Sequence, residues 1–187
     1  MIDMALKEWA IVCDLLLEGS MTLLLRKGGI HEDGGPGVFE LEHPHFALFP
    51  SWAHQKPEMI KEAFRSRVNV LDEPAEVPLA GLGHAAQIWR VTSREAFDSL
   101  DDLHPWTKAQ VDMRFDYKPH NPLYVMAVRA IRLPQTKVVA NVPAYAGCRS
   151  WVPLSPADEV DQIRATPSLA DDAFNDIVKR VDDAMKA

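Results

Sequence analysis

The run from Leu123 to Leu133, Leu-Tyr-Val-Met-Ala-Val-Arg-Ala-Ile-Arg-Leu, constrains this chain more than any other segment. It is apolar on both faces over most of its length, the pattern of a strand covered on both sides. Such a strand needs neighbours, so the chain must build a sheet around it and cover that sheet with helices. One charge breaks the pattern. Arg129 falls on the same side as Leu123, Val125, Ala127, Ile131 and Leu133. A guanidinium left unpaired there is costly, so Arg129 calls either for an internal Asp or Glu or for a phosphate or carboxylate ligand.

The flanking segments supply the rest of an α+β fold. Leu6, Trp9, Cys13 and Leu16 recur at helical spacing and predict a helix over Ala5 to Glu18, stopped by Gly19. Met21 to Lys27 reads as a buried strand that ends in Gly28-Gly29, with a glycine-rich loop to Gly37. Val38 to Glu42 alternates as a strand, Pro44 interrupts it, and Phe46 to Phe49 resumes it or pairs with it as a hairpin. Pro57 opens a second helix that ends near Arg67. Pro74, Pro78, Gly81 and Gly83 mark residues 71–83 as a flexible loop.

Ala85 to Val91 reads as a strand, Thr92-Ser93 as a helix cap, and His104-Pro105-Trp106-Thr107 as the lead into another short helix. Val138 to Asn141 and Arg149 to Leu154 are shorter strands, and an amphipathic helix closes the chain near residues 167–186. The expectation is one domain over residues 1–187, with a mixed or antiparallel sheet of about five or six strands packed by helices.

A chain of 187 residues can bury a core of that kind without disulfides. Its two cysteines, Cys13 and Cys148, are too few for a secreted scaffold and are expected to be reduced. Charges interrupt every apolar run well short of a membrane span, and the amino terminus lacks the pattern of a secretory signal. These features predict a cytoplasmic protein with no membrane partner. The net charge of −7 confines any nucleic-acid surface to a local basic patch.

Five words stand out: Ala5-Leu-Lys-Glu-Trp9, Leu25-Arg-Lys-Gly-Gly-Ile30, Phe49-Pro50 with His54-Gln55, His104-Pro-Trp-Thr107, and Tyr145-Ala-Gly-Cys148 with Ser150-Trp151-Val152. Through them the chain resembles, over roughly residues 4–155, a bacterial family known as a domain of unknown function, some members of which are associated with Mrr-type restriction endonuclease domains. The resemblance implies nucleic acid or a restriction-system protein as partner. It carries no catalytic residue over to this sequence.

The residues offer several candidate chemistries. Glu40 and Glu42 share one face of their expected strand, where two carboxylates hold a divalent metal, and Lys27 stands nearby to stabilise a phosphate. The same alternation also suits the wet face of an edge strand, and no Asp with Glu-x-Lys pair of the restriction-nuclease type is present. His31, His43, His45, His54 and His104 are candidate metal ligands or acid-base groups if they converge, and structural or surface histidines if they do not. Arg114, Lys118, Arg129, Arg132 and Arg149 interleave with Trp106, Tyr117, Tyr145 and Trp151, as suits flipped or single-stranded nucleotides, although such aromatics also build cores. Cys148 is a candidate nucleophile. Gly34-Gly35-Pro36-Gly37 lacks the Lys-Ser or Lys-Thr of a phosphate-binding loop.

The leading expectation is a nucleic-acid-associated protein of a restriction or genome-maintenance context. Its site would use Lys27, His31, Glu42, His54 and His104 for chemistry and Arg114, Arg129, Tyr145 and Trp151 for ligand binding. The alternatives are a divalent-metal-dependent hydrolase built on Glu40 and Glu42, and a partner-binding module that presents residues 71–83.

Overall fold

The computed structural model describes residues 1–27, 41, 43–147 and 149–186. The apolar run that begins at Leu123 forms β5 (Leu123–Ala140), which absorbs most of the separate strand expected near Val138. One side of β5 pairs along nearly its whole length with β4 (Glu76–Arg90). The other side is covered in turn by β2 (Leu23–Lys27), which pairs Leu123 to Ala127, and by β7 (Thr166–Pro167), which pairs Ile131 and Arg132.

The sheet continues through β3 (His45–Ser51), β1 (Met4–Trp9) and β6 (Trp151–Pro153) in the order β2-β5-β4-β3-β1-β6. Every described pairing is antiparallel except that of β1 with β3. The α+β class expected from the sequence is observed, and of the mixed or antiparallel sheet of about five or six strands expected with it, the structure shows a mixed one of seven. Five α-helices accompany the sheet among the described residues, α1 (Ala10–Glu18), α2 (Glu62–Arg65), α3 (Arg94–Asp98), α4 (Lys108–Asp116) and α5 (Asp171–Lys186). None is long and apolar enough to cross a membrane.

Several elements differ from their sequence patterns. The helix expected from Ala5 starts only at Ala10, because Met4–Trp9 is a strand buried on both sides. Ala5 packs with Ala47 and Phe49 in one apolar cluster while Leu6 packs with Ile11 and Leu24 in the other. Two-sided burial erases the alternation that distinguishes a strand from a helix. The segment expected as a flexible loop, residues 71–83, is strand from Glu76 onward. Its Pro78 lies just before a bulge between Leu79 and Gly81, where a missing N–H is tolerated.

The glycines of β4 reflect close packing rather than a turn. A Cβ on Gly81 would stand 2.1 Å from Leu17 Cδ2 and 2.7 Å from the carbonyl oxygen of Ile131, and one on Gly83 would stand 2.3 Å from Phe46 Cε2. The helix expected from Pro57 to Arg67 is likewise divided. A 3-10 turn at Pro57–Met59 is followed by a bridge between Ile60 and Trp106, and only Glu62–Arg65 is α-helical.

The last helix, expected from residue 167, begins only at Asp171, because Thr166–Pro167 pairs with β5 as β7, but three other helix ends fall where the sequence places them. Ser93 Oγ accepts the N–H of Ala96 at 3.0 Å to start α3, Thr107 Oγ1 accepts that of Gln110 at 3.4 Å to start α4, and Gly19 closes α1 with a φ of 74°. At the carboxyl end α5 buries Phe174, Val181 and Met185. It also answers the charge in β5: Asp171 Oδ1 lies 2.6 Å from Arg129 Nη1, and the guanidinium sits 4.3 Å from the centre of the Phe174 ring.

Gly81→Ala is expected to destabilise the fold by about 1–3 kcal/mol through overpacking against Leu17 and the β5 backbone. Chemical denaturation of wild type and variant measures this, and an unchanged midpoint would mean that helix and strand separate freely.

Candidate functional site

Because β1 and β3 are parallel, with Trp9 opposite Ser51, their carboxyl ends open at the same edge of the sheet. There β1 passes directly into α1, while β3 enters a turn from Trp52 to Gln55. The two chains diverge, and a cleft of about 320 Å³ opens beside them. Open carboxyl ends of parallel strands are where α/β sheets gather ligands.

Five charged side chains line it, Lys7, Glu8, Arg26, Glu73 and Arg149, with His54 and Asn141. Glu8 and Arg26 are nearly covered, with side-chain exposures of 10% and 15%. Glu8 Oε1 accepts the Trp9 N–H at 2.8 Å, and Glu8 Oε2 lies 3.0 Å from Arg26 Nη2. That second contact is a charge contact rather than an aligned hydrogen bond. The Nε and Nη2 groups of Arg26 are buried with no hydrogen-bond acceptor among the described residues. Burial lowers the pKa of the neighbouring Arg114, Glu8 raises it and Arg26 lowers it again. Two guanidinium groups thus share the field of one carboxylate.

The opposite wall is tied down by Lys7, whose Nζ donates to the carbonyls of Tyr145 (2.5 Å) and Gly147 (3.3 Å) and sits 5.1 Å from the centre of the Phe49 ring. Asn141 Nδ2 donates to the Pro74 carbonyl at 3.0 Å, which leaves Asn141 Oδ1 buried with no donor among the described residues. Glu73 reaches the turn after β3 and accepts hydrogen bonds from Ser51 Oγ and from the N–H groups of Trp52 (3.5 Å) and Ala53 (3.2 Å).

The candidates drawn from the sequence divide into three groups. The first lies in or beside the cleft. His54 lines it, and the Tyr145 carbonyl binds its Lys7. Lys27 follows Arg26 in β2 and donates to the carbonyls of Arg114 (2.9 Å) and Phe115 (2.8 Å), where a cation favours the end of α4. Burial is the main cause of a lowered Lys27 pKa.

The second group is held elsewhere. Trp151 pairs with Leu6 in the ladder and packs edge-on against Phe46 and His43, and Arg129 is held by Asp171 on α5. His104 is buried and stacked on Phe97 with ring centres 4.8 Å apart, and its Nδ1 accepts the Trp106 N–H at 3.3 Å. The third group, His31, Glu40, Glu42 and Cys148, lies outside the described residues. Among the described residues no three His, Cys, Asp or Glu side chains are grouped to hold a metal ion.

Reasoning from residue types missed Lys7, Glu8, Arg26, Glu73 and Asn141. A signal for the first three was present. Four of the five words behind the resemblance meet here, through Lys7 and Glu8, Arg26, His54, and Gly147 with Ser150. Glu73 and Asn141 sit in no such word and are brought in by the long β4-β5 pairing, which sets Glu76 against Ala140.

The protein is thus of the α+β class, with a charged cleft at the carboxyl ends of its parallel strand pair. It belongs to the family described as a domain of unknown function, DUF1802, which it matches over residues 5–180. No curated protein and no solved structure matches the chain.

Burial lowers the His104 pKa to about 4, with Lys61 adding to the effect and Asp101 opposing it. The unfolded chain then binds a proton near the ordinary imidazole pKa that the folded chain refuses. The neutral ring is expected to contribute fully above about pH 6.5, and the fold to lose roughly 3 kcal/mol or less as pH falls from there towards 4. Denaturation midpoints of wild type and His104→Phe across that range test this, since the variant should lose that part of the slope.

Proposed function

We propose that the protein binds nucleic acid by taking phosphate groups into the cleft between the carboxyl ends of β1 and β3. The observation that carries this reading is Arg26, which lines the cleft and whose buried Nε and Nη2 make no hydrogen bond among the described residues, with Glu8 Oε2 standing 3.0 Å from Nη2 as a charge contact. Buried donors of this kind favour an anionic acceptor, and a guanidinium fork suits phosphate. Arg149 adds an exposed cation at the rim and Lys7 a second one on the wall. The cationic surface is local, as a chain of net charge −7 requires.

The reading keeps Arg114 and Lys27 from the sequence-based site, as the cations behind Arg26, and replaces Arg129 with Arg26 and Arg149. A cytoplasmic protein of this kind, in the restriction or genome-maintenance context that the resemblance implies, would position or read a strand for a partner enzyme. Fluorescence anisotropy against single-stranded DNA, duplex DNA and RNA over a salt series tests it. Binding should weaken steeply with salt, and Arg149→Ala should lower the salt slope by about one. Arg26→Lys, which keeps the charge but loses the fork, should weaken binding about tenfold. Absence of binding to all three at low salt would discard the reading.

A further inference from the structure

The turn that ends β3 already holds an anion of the protein's own. Glu73 Oε1 accepts from the Ser51 hydroxyl and from the Ala53 N–H at 3.2 Å, and Glu73 Oε2 accepts from the Trp52 N–H at 3.5 Å. A hydroxyl and two consecutive N–H groups directed at the two oxygens of one carboxylate make an anion-binding nest. The nest lies within the cleft, whose lining includes Ser51, Ala53 and Glu73 together with Lys7, Arg26 and Arg149.

Its shape is fixed from beneath. His54 has a φ of 69°, in the left-handed region that side-chain-bearing residues seldom occupy, and the next residue, Gln55, is buried and anchored at both ends. Gln55 Oε1 accepts the Ile11 N–H of α1 at 3.0 Å, and Nε2 donates to the Asn69 carbonyl at 2.7 Å. The nest is thus part of the rigid frame.

Its occupant is not. Glu73 is exposed and lies in a stretch, residues 68–75, without helix or strand. That stretch is pinned on either side of Glu73, at Asn69 by Gln55 and at Pro74 and Ala75 by Asn141, while residues 70–73 make no backbone–backbone bond among the described residues. A solvent-exposed carboxylate contact contributes little and exchanges readily with a better acceptor.

We propose that the turn from Ser51 to Ala53 is the seat of a nucleic-acid phosphate, and that Glu73 is the resident carboxylate which that phosphate displaces. Phosphate and carboxylate accept from the same donors, but a phosphate in this seat also faces the cations of the cleft. Departure of Glu73 moves an exposed negative charge away from the incoming strand. This inference rests on the nucleic-acid reading above and adds to it both the contact point and a built-in competitor.

The test is anisotropy with a fluorescein-labelled single-stranded DNA on the wild type, Glu73→Ala, Ser51→Ala and Arg26→Lys, each checked for a native melting transition. Glu73→Ala should bind roughly tenfold more tightly than wild type, and Ser51→Ala in the Glu73→Ala background should reverse part of that gain. Tight binding by Glu73→Ala where wild type binds only weakly also supports the seat. If wild type binds and Arg26→Lys weakens it, while Glu73→Ala leaves affinity unchanged or lower, the seat is overturned and the nucleic-acid reading stands. If neither wild type nor Glu73→Ala binds at low salt, both fall together.

Discussion

Five backbone pairings, from Ala5 with Ala47 to Trp9 with Ser51, set β1 parallel to β3 in a sheet whose other described pairings are antiparallel. Antiparallel neighbours can be joined by a tight turn at each end, but parallel neighbours release their chains in the same direction. The chain leaving β1 coils at once into α1 and the chain leaving β3 turns at Trp52, so the space between them has no strand to fill it. Everything charged in the cleft depends on that vacancy at the sheet edge. Glu8, Lys7 and Trp9 come from one side of it, Ser51 and His54 from the other.

The electrostatics follow from how few carboxylates reach the inner end. Arg26 and Arg114 are both partly withdrawn from water, and Glu8 is the carboxylate whose field acts on each. Burying charges costs more than a pair recovers unless hydrogen bonds complete the arrangement. Here the arrangement stays incomplete at Arg26 Nε and Nη2. Elsewhere the protein settles its charges locally. Arg129 has Asp171 and Phe174, Arg180 has Asp102, and Arg67 has Glu18. Buried polar atoms without a partner among the described residues also occur at Thr22, His104, Trp106 and Ser168, but Arg26 is the charged group among them and it lines the cleft.

How much of this could be read in the sequence depends on whether a residue's role is local. The caps at Ser93 and Thr107, the stop at Gly19, the apolar stretch of β5 and the stripe of α5 are determined by neighbours within a few positions, and each is found near where the sequence puts it. Met4–Trp9 is a strand because Ala47 and Val152 lie beside it, and nothing in the segment itself reports that. The glycines of β4 were open to the same error: the contact that forbids a side chain at Gly81 comes from Leu17, on a helix far away in sequence. Arg129 was legible as a charge in need of a partner, but the sequence left carboxylate and ligand equally open until Asp171 was located. Lys27 and Arg114 were both noticed for their charge, yet the bond between them runs from a side chain to a helix-end carbonyl, which no residue-type pattern encodes.

The bonds from Lys7 to the 145–147 turn join positions 138 and 140 residues apart. A nascent or truncated chain therefore possesses the strand ends and the turn after β3 long before it possesses the wall of the cleft. Contacts of such separation form late and slow the folding of sheets that depend on them. Any molecule held between Arg26 and Arg149 fastens the beginning of the chain to a segment made near its end. Its binding would be felt as protection of the whole molecule against unfolding rather than as stiffening of one loop.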